Sequence, residues 1–164
     1  MKNRIIVLLA AALCLCALFS CAAADTPPEP VIRSAGYLSQ PSAPAVTLEY
    51  SDPEHRTWID VYLLKKGTVS PSMGTVEYGG ETWSIVGIQT VDPGNPDMYM
   101  ILENGRTLLS TELYLGDCGS PSAGEKVYLT VGLTSDGAEV LGTPVPLTVP
   151  PAGETASYTP DGAY

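Results

Sequence analysis

Few side chains in this 164-residue chain are equipped for covalent chemistry. His55 is the sole histidine, and Cys118 sits in Gly116-Asp117-Cys118-Gly119-Ser120, which reads as a turn between two strands with a half-buried cysteine. A thiol paired with an imidazole is drawn toward the thiolate and becomes a nucleophile. Three further sets suit binding. Trp58 and Tyr62 share one face of an alternating run, with Trp83 nearby, and exposed aromatics in one plane stack on sugars or on partner proteins. Asp92, Asn95 and Asp97 offer oxygens of the kind calcium takes. Cys21 follows a short apolar segment and could carry lipid.

The Cys118 loop resembles the nucleophile loop of chymotrypsin-like proteases, with cysteine in place of serine, and His55 precedes it as the base of such an enzyme does. The resemblance implies a hydrolase of two β-barrels. Length opposes it, because only about 25 residues separate the proline-rich stretch ending at Pro30 from His55. We therefore expect Cys118 in a turn, His55 on a solvated turn, and no catalysis. One histidine and one or two cysteines cannot supply the usual ligands of a zinc site. The spacing of Asp92, Asn95 and Asp97, with Pro93 and Pro96 between them, points to turn chemistry rather than a calcium loop. No cofactor is expected.

The N-terminus says where these residues work. Lys2 and Arg4 precede an uncharged apolar run from Ile5 to Phe19, about fifteen residues, short for a permanent span and suited to a removed signal helix. Leu18-Phe19-Ser20-Cys21 resembles a bacterial lipobox, which implies cleavage after Ser20 and acylation of Cys21. An ordinary Ala22-Ala23-Ala24 site, releasing Asp25, is the alternative. The expected organisation is a signal over 1–20, a proline-rich tether over 21–30 starting at lipidated Cys21, a β-domain over 31–150 and a loose tail over 151–164. Export with the domain outside the cytoplasm follows, held to the cell envelope through the lipid.

Charge narrows the partners. All 18 acidic residues lie at or beyond Asp25 and two of the 8 basic ones precede it, so 6 basic against 18 acidic residues leave the mature chain at −12. Such a charge disfavours nucleic acid as a partner and leaves a protein or a carbohydrate, with a monomer expected. Removal of the signal takes Cys14 and Cys16, and acylation occupies Cys21, so Cys118 has no internal partner. Stability must then come from a core, which about 144 residues suffice to build.

From Val31 onward short apolar runs alternate with Gly, Pro, Asn and Asp. Val46, Leu48 and Tyr50 share a face, as do Val127, Leu129, Val131 and Leu133. In the run from Trp58 to Leu64, Ile59, Val61 and Leu63 lie opposite Trp58, Asp60 and Tyr62, so an aliphatic core face would turn the aromatics outward unless a hairpin carrying Trp83 covers them. Gly79-Gly80 predicts a hairpin between Thr75–Tyr78 and Thr82–Gln89, and Asn104-Gly105 predicts a type I′ turn. Pro144 and Pro146 predict an edge strand over 140–149. The pattern is all-β, a two-layer sandwich of about seven to nine strands, with no helix longer than two turns after the signal.

Val46-Thr47-Leu48-Glu49-Tyr50-Ser51-Asp52-Pro53 resembles the second strand of fibronectin type III and related Ig-like domains, with Tyr50 where tryptophan is usual. Val127 to Val149 resembles their last two strands, though Val127 stands where those domains carry a tyrosine. About sixty residues between Lys66 and Lys126 exceed a minimal domain, which the Thr75–Gln89 hairpin would absorb; a variable-like nine-strand arrangement is the alternative. The resemblance implies a non-catalytic interaction module, with a carbohydrate-binding module as the rival reading.

Overall fold

The computed structural model describes residues 26–56, 58–92, 95 and 97–161. The predicted signal and Cys21 therefore lie outside the described residues. The described residues form eleven strands: β1 (Val31–Leu38), β2 (Ala45–Ser51), β3 (Trp58–Lys66), β4 (Thr75–Tyr78), β5 (Glu81–Val91), β6 (Tyr99–Ile101), β7 (Thr107–Glu112), β8 (Lys126–Ser135), β9 (Ala138–Leu141), β10 (Val145–Thr148) and β11 (Thr155–Tyr158). Among the described residues one 3-10 turn, Gly116–Cys118, interrupts them.

They build two antiparallel sheets. The first runs β11-β1-β2-β7-β6, and the second runs β10-β8-β3-β5-β4, with β9 also on β8. The orders β1-β2-β7-β6 and β3-β8-β9/β10 are those of an immunoglobulin constant-type sandwich. The β4–β5 hairpin extends the second sheet and β11 extends the first, which accounts for more strands than the seven to nine expected.

Alternation put the predicted faces together. Val46, Leu48 and Tyr50 face Ile59, Val61, Leu63, Val127, Leu129, Val131 and Leu133 across the sandwich, all in one buried cluster. Each full burial of a Val or Leu side chain contributes about 1.5–3 kcal/mol. Gly87 lies against this core because a β-carbon there would come within 3.1 Å of both Leu63 and Leu115.

The turns divide by chemistry. Gly79-Gly80 (φ 61° and 76°) joins Tyr78 to its partner Glu81, and Asp136-Gly137 (φ 51° and 80°) joins Ser135 to Ala138. Both are two-residue hairpins with two positive φ values, the pattern of type I′. Asn104-Gly105 departs from its expectation. Only Gly105 (φ 77°) is left-handed. Its N–H donates to Leu102 O at 2.9 Å, and Leu102 N–H donates to Arg106 O at 2.8 Å, closing a longer loop with a glycine bulge. Asn104 instead uses its side chain, accepting the Arg106 N–H at 3.0 Å.

The last two predicted boundaries move. Residues 155–158 were expected in a loose tail, yet they pair with β1 from Ala35↔Tyr158 to Leu38↔Thr155. The pairing satisfies the β1 backbone that would otherwise be an open edge. The approach is pinned by Gly153 N–H to Ser39 O at 2.8 Å and Ser39 N–H to Glu154 O at 3.0 Å. At the other end, 28–30 were expected in the tether but are docked on the domain. Pro28 O accepts from Arg56 Nη2 at 2.8 Å, Glu29 accepts from Tyr78 OH at 2.8 Å, and Pro30 is buried. The predicted edge strand is present as two pieces, β9 and β10, both on β8. At the break Gly142 pairs with Val131 and its carbonyl accepts from Thr130 Oγ1 at 2.6 Å.

The second sheet also curls. Tyr78 on its outermost strand meets Thr143 Oγ1, in the link between β9 and β10, at 2.7 Å. The curl encloses a second, smaller core on the outer face, formed by Tyr62, Leu64, Trp83 and Ile85. Trp83 stands edge-on to Tyr128 with ring centroids 4.8 Å apart and planes at 81°, a favoured aromatic geometry. Tyr62 OH donates to Glu139 Oε1 at 2.7 Å. Gly132 lies beneath that bond: a β-carbon there would collide with Glu139 Oε1 and fall 2.9 Å from Tyr62.

Candidate functional site

The strand β3 separates the two residues that could have formed a nucleophile pair. His55 stands three residues before its start, and Cys118 lines a cavity with Lys65 and Glu125 at its far end. The eight rises of about 3.3 Å between the first and last of its nine residues place those ends roughly 26 Å apart. Cys118 ends the 3-10 turn, its N–H donating to Leu115 O at 3.0 Å, and its half-buried side chain packs against the main core. Beside it the Ser122 N–H, and after it Lys65 at 3.1 Å, hold the Glu125 carboxyl below its usual pKa.

Of the aromatic trio, Trp58 alone is on the surface, at 49% exposure, while Tyr62 and Trp83 are at 6% and 4%. Both lie in the outer-face core, against which Val76 and Tyr78 of β4 and Leu141 of β9 pack. Burial first, then the bond to Glu139, raises the Tyr62 phenol well above its ordinary pKa. No shared aromatic platform results. In the Asp92–Asp97 loop, Asn95 N–H donates to Asp92 O at 2.9 Å and Asp97 N–H to Asn95 Oδ1 at 3.1 Å, which is turn chemistry. Among the described residues, no three His, Cys, Asp or Glu side chains gather as a metal set.

A different constellation forms at the His55 end, where β2 turns into β3. Asp52 organises the turn. Its carboxylate accepts the N–H of Glu54 at 3.1 Å and the N–H of Arg56, and its carbonyl accepts the N–H of His55 at 3.3 Å. The exposed His55 takes a left-handed φ of 54°, a strained conformation for a non-glycine residue. The turn thereby drives Arg56 inward. Its Nε and Nη2 reach Asp52 Oδ1 at 3.1 and 2.7 Å, and Nη2 also reaches Pro28 O. Both side chains of this ion pair are buried, at 3% and 6% exposure. A buried pair survives only where most of its hydrogen-bonding capacity is met. Arg56 Nη1 nevertheless has no partner among the described residues.

No protein-family model and no curated protein matches the chain.

Arg56 and Asp52 form part of the wall of a cavity of about 200 Å³ between the sheet ends. Buried Tyr50 and Ile59 contribute from β2 and β3, and Tyr99 and exposed Ile101 from β6. Burial pushes the Tyr50 phenol up to about 12, against an opposing hydrogen bond with Thr107. Sequence reasoning passed over Arg56. The available signal was its place four residues after Asp52 in a tight turn between two core strands, a spacing that lets the side chain fold back on the carboxylate.

Proposed function

We propose that the chain is an exported lipoprotein whose sandwich acts as a non-catalytic binding module at the cell envelope, anchored through lipidated Cys21. The lipobox-like Leu18-Phe19-Ser20-Cys21 after a short apolar run carries the reading, and the docking of residues 28–30 sets the length of the tether. With Pro28 held by Arg56 and Glu29 by Tyr78, only residues 22–27 separate Cys21 from the domain. Six residues reach about 20 Å when extended, so the sandwich would sit close to the membrane with its His55 end toward it. Two acyl chains at about 0.8 kcal/mol per buried methylene anchor stably where one is marginal.

The separation of His55 from Cys118 supports the non-catalytic half of the proposal. Burial of Tyr62 and Trp83 takes away the aromatic platform on which the carbohydrate-stacking alternative depends. Metabolic labelling with a clickable fatty acid, joined to N-terminal sequencing of the mature protein, tests the anchor. The expected results are a labelled, blocked Cys21 terminus and no label in Cys21→Ala. A mature protein starting at Asp25, or label that persists in the variant, would sink it.

A further inference from the structure

The large apolar side chains left exposed are not spread evenly over the surface. There are five among the described residues, and four of them, Val31, Trp58, Met100 and Ile101, at 45% to 63% exposure, gather at one end of the sandwich. Val31 pairs with Ser51 at the end of β2, Tyr50 pairs with Thr107, and Thr107 pairs with Ile101. Trp58 opens β3 shortly after His55, and its neighbour Ile59 lines one cavity with Ile101, which brings β3 and β6 together there. Tyr114, the fifth, follows β7 at the opposite end, where Glu112 pairs with Ala45. Single exposed apolar residues are ordinary, whereas a concentration of them marks a surface that is covered in use. The tether leaves from the same end: Pro27 lines a hollow with Glu54 and Asp136, which lie in the turns beside Trp58. Residues 22–27 reach about 20 Å. A folded partner of about 100 residues has a radius of gyration of about 13 Å, so its width exceeds that gap and a bilayer is what fits against this end.

We propose that the His55 end of the sandwich docks on the lipid bilayer that holds Cys21, with Trp58, Met100 and Ile101 entering the interface between head groups and acyl chains. The inference rests on the lipid anchor proposed above. Tryptophan suits that depth, since its ring is apolar and its N–H is polar. The tether makes the contact intramolecular, so a few apolar side chains suffice where free association would be weak. Glu54, Glu103 and Asp136 are exposed in the turns of this end. Charge therefore opposes contact with anionic lipid, and apolar burial drives the docking.

The test uses the mature lipidated chain in vesicles of phosphatidylcholine brominated along its acyl chains, which quench tryptophan that enters the bilayer. Trp58 and Trp83 are the two tryptophans, and Trp83 is buried in the outer-face core. Wild-type emission should be quenched, and Trp58→Phe should remove the quenching. Ile101→Asp and Met100→Asp change exposed positions and should keep the β-sheet circular dichroism. Each should lower the ratio of docked to free domain about tenfold, equivalent to about 1.4 kcal/mol, while the chain still floats with the vesicles. In vesicles containing phosphatidylglycerol, added salt should raise the quenching by screening repulsion. A chain that floats unquenched would overturn the docking and leave the anchor standing. A chain that fails to float would overturn the anchor and the docking together. Quenching that survives both aspartate substitutions would overturn the surface named here, and quenching lowered by salt would overturn its apolar character.

Discussion

The two faces of the second sheet hold different kinds of core. The inner face is chiefly aliphatic, built from Ile59, Val61 and Leu63 on β3 with Val127 to Leu133 on β8, and its stability is that of closely packed hydrocarbon. The outer face is aromatic and polar-tipped. Tyr62 is tied to Glu139, Trp83 Nε1 donates to Tyr78 O at 3.3 Å, and Tyr78 is tied to Thr143 and Glu29. A side chain with a hydroxyl can be buried at modest cost only where it finds a partner. The inner core therefore follows from strand alternation alone, whereas the outer core requires the sheet to curl until partners from distant strands arrive.

High pH provides the largest expected effect and bears on both cores. Burial, with a smaller contribution from Glu125, pushes the Tyr37 phenol up to about 12, Tyr50 reaches about 12, and Tyr62 is raised further. These folded values exceed the ordinary value of 10, so the unfolded chain releases the phenolic protons first. Stability is then complete below pH 10 and is lost as pH rises from 10 toward 12. Phenolate absorbance should lag behind that of free tyrosine and then rise together with loss of β-sheet circular dichroism. Titration of all tyrosines near pH 10 with the fold intact would contradict the burial of both phenol sets.

Leu129→Ala tests the inner core. Leu129 is fully buried, and its truncation should cost about 2–5 kcal/mol, read as a lower denaturant midpoint for the whole domain. A loss confined to one hairpin would mean that the inner core is not the single cooperative unit described.

Gly132→Ala tests the outer core. The added methyl forces Glu139 and Tyr62 apart, and overpacking of this kind costs about 1–3 kcal/mol. Hydrogen exchange should speed up in β9 and the β4–β5 hairpin before it does in β2 or β7. Glu139→Ala in the same chain should restore part of the loss, because one of the two colliding groups is removed. Uniform loosening of both sheets would erase the distinction between the cores.

The smallest change is Tyr62→Phe, which removes one hydrogen bond and keeps the ring. About 0.5–1.5 kcal/mol is expected, with no change in the inner-core amides. A larger cost would show that the Tyr62–Glu139 bond, rather than ring packing, holds the curl.

Particular residues show how far the sequence could be read. Val46, Leu48 and Tyr50 announced their face by period-two alternation, which depends only on the pleat of a strand. Asp136-Gly137 and Gly79-Gly80 turned as their types require. Asn104-Gly105 did not, because the register Ile101↔Thr107 left five residues to close instead of two. The Thr155–Tyr158 strand lacked a strong apolar pattern, and it forms because β1 offers a free edge. Arg56 was hidden for the same kind of reason: an arginine in an acidic turn reads as solvated until its neighbours are known.

The amino-acid order by itself determined the all-β class, the two sheets' inner faces and the position of the main hairpins, since these depend on side-chain period and backbone φ preference over a few residues. It also carries the lipobox-like stretch at Cys21, which is chemistry of adjacent residues. Tertiary structure alone decided that His55 and Cys118 stand at opposite ends of β3, that Tyr62 and Trp83 are covered, and that Arg56 is buried with a donor unused among the described residues. Each of these depends on sheet curl and on contacts between residues far apart in sequence, such as Tyr62 with Glu139 and Arg56 with Pro28. Such contacts exist only once the two sheets have closed on each other and local preferences no longer choose the neighbours.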